Sequence, residues 1–152
     1  MPSTIEVGVD ADEIRGHIRT MYREVAEQPG GDFHFEMGRP LAERLGYPAV
    51  WLDAVPPAAL ASFAGVGHLL DLAELRPGDR VVDLGSGAGT DAFIAALLVA
   101  PTGSVVGVDM TGAQLTKARE LRIRHRVQRL SFAEGLVEDP PIEPCSADAV
   151  IS

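Results

Sequence analysis

Apolar residues fall at Ile14, Ile18, Met21, Tyr22 and Val25, at steps of three and four. That spacing places one stripe on a helix from Asp10 to about Gln28, ended by Pro29, Gly30 and Gly31. The stretch GRPLAERLGYP (38–48) carries helix punctuation at both ends and predicts one or two helical turns. Behind Pro56 and Pro57, AALASFAGVGHLLDLAEL (58–75) reads as a largely apolar helical segment interrupted by Gly65 and Gly67. Residues 1–75 are therefore expected to form a helical N-terminal extension.

The pattern changes at Arg76. The turn RPGD leads into RVVDLG, a short β-branched apolar strand, followed by a glycine cluster and the helical run DAFIAALLVA. After the turn PTGS come the strand SVVGVD and the helix TGAQLTKARELRIRHRVQ, which Thr111 opens as N-cap. RLSFAEG is the third strand, and ADAVIS, beyond the polar loop VEDPPIEPCS, is the fourth. Strands alternating with helices at this spacing predict an α/β fold, a partial Rossmann-like doubly wound parallel sheet of about four strands over residues 76–152. If ADAVIS pairs beside the first strand it becomes an uncovered edge, so truncation at the C-terminus is expected, with self-association or a complementing C-terminal segment as its consequence.

Composition narrows the function classes. The chain has 152 residues, 46% of them apolar, enough for one core. With 13 basic against 22 acidic side chains the net charge is −9, which disfavours binding to nucleic acid or an anionic membrane surface. The basic run Lys117, Arg119, Arg122, Arg124, Arg126 and Arg129 reads as a solvated helix face. One cysteine, Cys145, excludes an intrachain disulfide framework and a thiolate cluster and suits a reducing compartment. The four histidines lack metal-ligand spacing and read as surface or packed residues, so no metal site is expected. No secretory signal or membrane span is visible, and a cytoplasmic protein is expected.

The candidate chemistry lies in Val81-Val82-Asp83-Leu84-Gly85-Ser86-Gly87-Ala88-Gly89-Thr90-Asp91 and Gly107-Val108-Asp109-Met110-Thr111. A glycine-rich turn between strand and helix lets the backbone approach a ligand closely. Asp109 follows Gly87 by 22 residues, which puts a carboxylate at the tip of the second strand, in reach of both hydroxyls of a ribose. A dinucleotide fingerprint needs its third glycine at position 90, which is Thr, whereas here it comes at Gly89. Asp83, two residues before Gly85, would repel a pyrophosphate and favour an ammonium group. The pattern suits a cationic, phosphate-free nucleoside, and a nicotinamide-dependent oxidoreductase is the weaker reading.

VVDLGSGAGTD followed by GSVVGVDMTGAQLTKARE resembles the first two motifs of class I S-adenosylmethionine-dependent methyltransferases. The VDMT with Gln114 and Leu115 is most similar to the arsenite methyltransferase branch, and the likeness extends from about Met21 to Ser152. The resemblance implies S-adenosyl-L-methionine (SAM) as cofactor and methyl transfer to a small-molecule acceptor. It further implies that Gly85, Ser86 and Gly87 line the methionine part, that Asp109 holds the ribose, and that Met110 packs beside the adenine. Leu136 and Val137, in GLVED, would frame the adenine edge, and Tyr22 would stand near the cofactor. Arsenite methyltransferases hold trivalent arsenic with several thiolates, soft ligands for a soft centre. The turn SFAGVG carries Val66 where one such cysteine is expected, and Cys145 alone cannot form a multi-thiolate site. No catalytic residue is assigned, and a catalytically inactive SAM-binding fragment is the alternative to an active enzyme.

Overall fold

The computed structural model describes residues 10–152, so most of the acidic N-terminal stretch lies outside the described residues. The first helix, α1 (Ala11–Glu27), is capped by Asp10, whose carboxylate accepts the N–H groups of Asp12 and Glu13. That satisfies two of the donors a helix start leaves free. Three short helices follow: α2 (Gly38–Arg44), α3 (Ala49–Ala54) and α4 (Pro57–Ala61). The sequence reading ended a helix at Gly46–Pro48 without starting another. In the structure the Pro48 carbonyl accepts the N–H groups of Trp51 and Leu52 and opens α3, so one proline closes and opens. The expected segment 58–75 is likewise two helices, α4 and the single turn α5 (Leu70–Ala73), because the chain between them is not helical.

The sheet comprises β1 (Arg80–Leu84), β2 (Ser104–Asp109), β3 (Leu130–Glu134) and β4 (Ala149–Ile151), all parallel, in the order β3-β2-β1-β4. Helix α6 (Thr90–Leu98) joins β1 to β2, and α7 (Gly112–Arg124) joins β2 to β3. Val81, Val105, Leu130 and Ile151, on one sheet face, form a common core with Ile94 of α6, Leu115 and Ala118 of α7, and Leu52 and Leu60 of the preceding helices. Burying alternate β-branched residues of each strand against apolar helix faces fixes the register. The chain steps outward from β1 to β3 and returns to β1's other side as β4. The strand order therefore reverses at β1, and ligands of open α/β sheets bind outside the strand ends at such a point. As expected, β4 is an edge, with Val150 58% exposed.

Two members of the basic run also make structural bonds, Lys117 half-buried and Arg119 exposed. Lys117 donates from Nζ to the carbonyl of Ala26 (3.1 Å) and to Oγ of Ser62 (2.6 Å), and Arg119 donates from Nη2 to the carbonyl of Phe132 (2.9 Å). They tie α7 to the end of α1 and to β3, because a long basic side chain can lie along apolar surface and deliver its head to an orphan carbonyl.

Candidate functional site

Beyond the C-terminal ends of β1 and β2 lies a cleft of about 680 Å³. Its floor is the turn from β1 into α6. The N–H groups of Gly85 and Ser86 both donate to the Val108 carbonyl, at 2.8 and 2.9 Å, which curls the turn over the tip of β2. Gly85 sits at φ 74°, a conformation that costs other residues roughly 1–2 kcal/mol, and nothing stands where its Cβ would be. That open space belongs to a ligand or to water.

Asp109 completes the turn. Its Oδ2 accepts the N–H of Gly87 (2.9 Å) and its Oδ1 accepts the N–H of Thr111 (2.8 Å). The carboxylate is thereby locked at the strand tip, and each oxygen keeps accepting capacity for a diol. Thr111 occupies the N-cap of α7, but its hydroxyl makes no capping bond and is buried without a partner. Asp109 holds the Thr111 backbone in its place.

Beneath the turn, Asp83 is 4% exposed and its Oδ2 has no hydrogen-bond partner. Burial, reinforced by the charges of Asp91 and Asp109, pushes its pKa well above the usual carboxylate range. Asp91, in the first turn of α6, also lines the cleft. Its Oδ1 accepts the hydroxyl proton of Tyr47 (2.7 Å). Burial raises the pKa of Asp91, and the Tyr47 bond and nearby His68 oppose that rise. The Tyr47 hydroxyl is itself pushed upward by burial and by these carboxylates. Its ring packs on His68 at 4.3 Å and edge-on to Phe63 at 5.3 Å.

Helix α1 supplies one wall, through Arg15, Ile18 and Tyr22. Its C-terminal half is anchored to α7, where Nε2 of Gln114 donates to the Tyr22 carbonyl (3.1 Å). Its N-terminal half is tied across the cleft mouth by one ion pair, Arg15 Nη2 to Glu138 Oε1 at 2.5 Å. Leu136 and Val137 enter from the turn after β3, which an antiparallel bridge between Leu136 and Asp139 folds tightly.

Of the residues expected from sequence, Asp83, Gly85, Ser86, Gly87, Asp109, Met110, Leu136, Val137 and Tyr22 all face this one cleft. Gly89 does not line it. The structure gives Gly89 a packing reason: at φ 98°, a Cβ there would come within 2.9 Å of the Phe132 ring, so this glycine lets α6 lie close on the sheet. Cys145 lies on the opposite side, in a shallow groove with Val82 and Val150. Asp91 and Tyr47 escaped the sequence reading. Asp91 is visible in the motif but carries no spacing rule, and Tyr47 stands 44 residues away in a segment without periodicity.

The donor set fits a cationic nucleoside. The orphaned Asp83 oxygen wants a donor, the open space at Gly85 admits close approach, and Asp109 presents acceptors for a ribose. Among the described residues no cluster of three or more His, Cys, Asp or Glu could hold a metal.

Residues 75–152 match the methyltransferase domain family. The chain belongs to that family. It is 40% identical over 111 residues to the arsenite methyltransferase of Halobacterium salinarum, covering 73% of this chain and 28% of that protein. It resembles the crystal structure of an arsenic(III) S-adenosylmethionine methyltransferase from Chlamydomonas reinhardtii, with 35% identity, a TM-score of 0.57, and coverage of 67% of this chain and 36% of that one. A protein-L-isoaspartate O-methyltransferase shares the fold, with TM-score 0.57 at 16% identity over 88% of this chain and 47% of its own. The family member described here thus spans about a third or less of the length of the arsenic-related proteins it matches.

Proposed function

We propose that this chain binds SAM in the cleft and serves methyl transfer to a small acceptor. The observation that carries the reading is the locked Asp109 carboxylate at the tip of β2, bonded to Gly87 of the turn, with unpartnered Asp83 beneath it. A ribose would lie on Asp109, the amino-acid end would turn toward Asp83 and Gly85, and the base would lie between Met110 and Leu136. When bound, SAM supplies an electrophilic methyl group on a sulfonium. The chain's own residues contribute position: α1 and the Leu136–Glu138 turn exclude water from the mouth, and the glycine turn fixes the ligand's height above the sheet. In an in-line displacement such alignment is a large share of the catalysis. A pyrophosphate would meet three carboxylates here, which argues against a nicotinamide cofactor.

The described residues do not by themselves build a thiolate site for arsenite. Val66 is 99% exposed on the loop bordering the cleft, and the one thiol, Cys145, is exposed in the groove on the far side. A soft arsenic centre needs several thiolates converging on one point. We place the protein in the reducing cytoplasm, where an exposed unpaired thiol survives. We also propose a functional division near residue 75, with the helices before it closing the cleft that the sheet residues build.

The test is titration calorimetry of the 152-residue chain with SAM, S-adenosylhomocysteine and NAD. Micromolar binding of the first two without NAD binding is expected. NAD binding, or no binding by a chain shown to be folded, removes the reading.

A further inference from the structure

Resting on the SAM reading, we propose that Asp83, Asp91 and Tyr47 form one proton-holding unit under the cleft, and that the ammonium end of an amino-acid-bearing nucleoside displaces a proton from it on binding.

The geometry is specific. Asp83 lines the cleft, and its Oδ2 is unpartnered and almost wholly out of water. Asp91 faces the same cleft from α6, with one oxygen committed to Tyr47 at 2.7 Å. The groups around them can be named element by element. β2 offers a third carboxylate, Asp109, whose oxygens take two backbone N–H groups. The segment between α2 and α3 brings the neutral donor Tyr47, and the segment before α5 brings His68, the one titratable base that counters Asp91. α7 presents only the neutral Gln114 and Thr111. Across the cleft Arg15 of α1 is committed to Asp12 and Glu138, and among the described residues no lysine or arginine pairs with Asp83, Asp91 or Asp109.

Acids sharing a dry site with no lysine or arginine paired to them resist ionising together. Burial raises the pKa of both carboxyls, and at Asp83 the charges of Asp91 and Asp109 add to it, so the free protein favours a proton on this unit. A ligand ammonium supplies the missing cation. The proton leaves to solvent, the ammonium pairs with the resulting carboxylate, and charge balances. Affinity for the amino-acid-bearing ligand falls as the medium is acidified, because binding must then expel a proton against a higher proton concentration.

The experiment is calorimetry of the full chain in buffers of differing ionisation enthalpy, between about pH 5 and 7, where the ligand's own α-amine stays charged. The two ligands are S-adenosylhomocysteine, which carries the amino acid, and methylthioadenosine, which lacks it. The expected result is release rising toward about one proton per bound S-adenosylhomocysteine as the pH falls. Methylthioadenosine should release none. Asp83→Asn should abolish the release, and Tyr47→Phe should move it to higher pH by removing the bond that favours ionised Asp91. Equal proton counts for the two ligands overturn the proposal even if neither variant folds. Unchanged release in a folded Asp83→Asn variant overturns it as well. If neither nucleoside binds, the SAM reading falls and takes this one with it, a result distinct from binding without proton release.

Discussion

The Asp109 carboxylate accepts the backbone N–H of Gly87 at 2.9 Å, so the tip of β2 holds the turn that follows β1. A side chain proposed to hold the ligand's ribose is thus also a brace of the surface on which the ligand lies. Asp109→Ala is expected to weaken S-adenosylhomocysteine binding by about 1 to 3 kcal/mol, the cost of leaving polar partners unmatched. Asp109→Asn keeps an acceptor but loses the charge on two N–H bonds and should fall between. Calorimetry with folded variants checks both, and unchanged affinity would remove Asp109 from the site.

The sheet was legible because its rules are local. RVVDLG, SVVGVD and RLSFAEG are short apolar runs bounded by turns, and the intervening helices implied parallel crossovers; that ADAVIS pairs beside β1 is supplied by the structure. The extension was less legible: its helices are short, and Pro48 and the 62–69 turn obey hydrogen bonds that no periodicity announces. At the site, residues of the two strand-end motifs could be named because they sit at the switch point by topology. Tyr47 reaches Asp91 only through tertiary packing, and Gly89's role depends on Phe132, 43 residues later and on a different strand. Contacts of that kind are written in the fold and not in the spacing.

Two glycines of the turn should separate packing from binding. Gly89→Ala combines left-handed strain with a Cβ 2.9 Å from the Phe132 ring, and a loss of about 2 to 4 kcal/mol of stability is expected. Gly85→Ala carries the strain alone, since the space beside it is open, and should cost only about 1 to 2 kcal/mol while obstructing the ligand. Urea unfolding and ligand titration of the two variants check the contrast. Equal stability loss in both would refute the packing assignment of Gly89.

Asp83 should weaken the fold that it serves. Its folded pKa is raised, so between the ordinary carboxylate range and that raised value the native state binds more protons than the unfolded state. Stability attributable to this group is therefore greatest at low pH and declines as the pH rises through the folded value. Asp83→Asn removes the buried charge, so the variant should melt higher than the parent at pH 8, with the difference shrinking toward pH 4. A difference in melting temperature that does not change with pH would show that Asp83 is not a strained buried acid.

Among the described residues the Arg15–Glu138 pair is the one bond at the mouth between α1 and the turn after β3, while the other end of α1 is held by Gln114 and Lys117. The pair is solvent-facing and adds little to global stability. Its loss should act on opening: Arg15→Ala is expected to speed ligand dissociation several-fold with an almost unchanged melting temperature. Stopped-flow displacement measures it, and an unaltered off-rate would mean that α1 does not gate the cleft.

At the end of the sheet away from the cleft, where β1 and β4 begin, Arg80 and Asp148 form a two-toothed ion pair at 3.0 Å, and the Asp148 carboxylate also accepts the Arg80 N–H at 2.8 Å. The Asp148 N–H in turn donates to the Arg80 carbonyl at 2.8 Å, so this residue sets where β4 begins to pair with β1. The guanidinium and backbone bonds hold the Asp148 carboxyl down at about 2. Because the folded value is depressed, its stabilising effect is present above the ordinary carboxylate range and is lost as the pH falls toward that value. Asp148→Asn should therefore lower the urea midpoint slightly at pH 7, with the difference shrinking as the pH falls through about 2. Hydrogen exchange should localise the change: the amides of β4 should exchange faster in the variant, while those of β2, bonded on both sides, keep their protection. Uniform acceleration across the sheet would instead mean that β4 does not open as a separate unit.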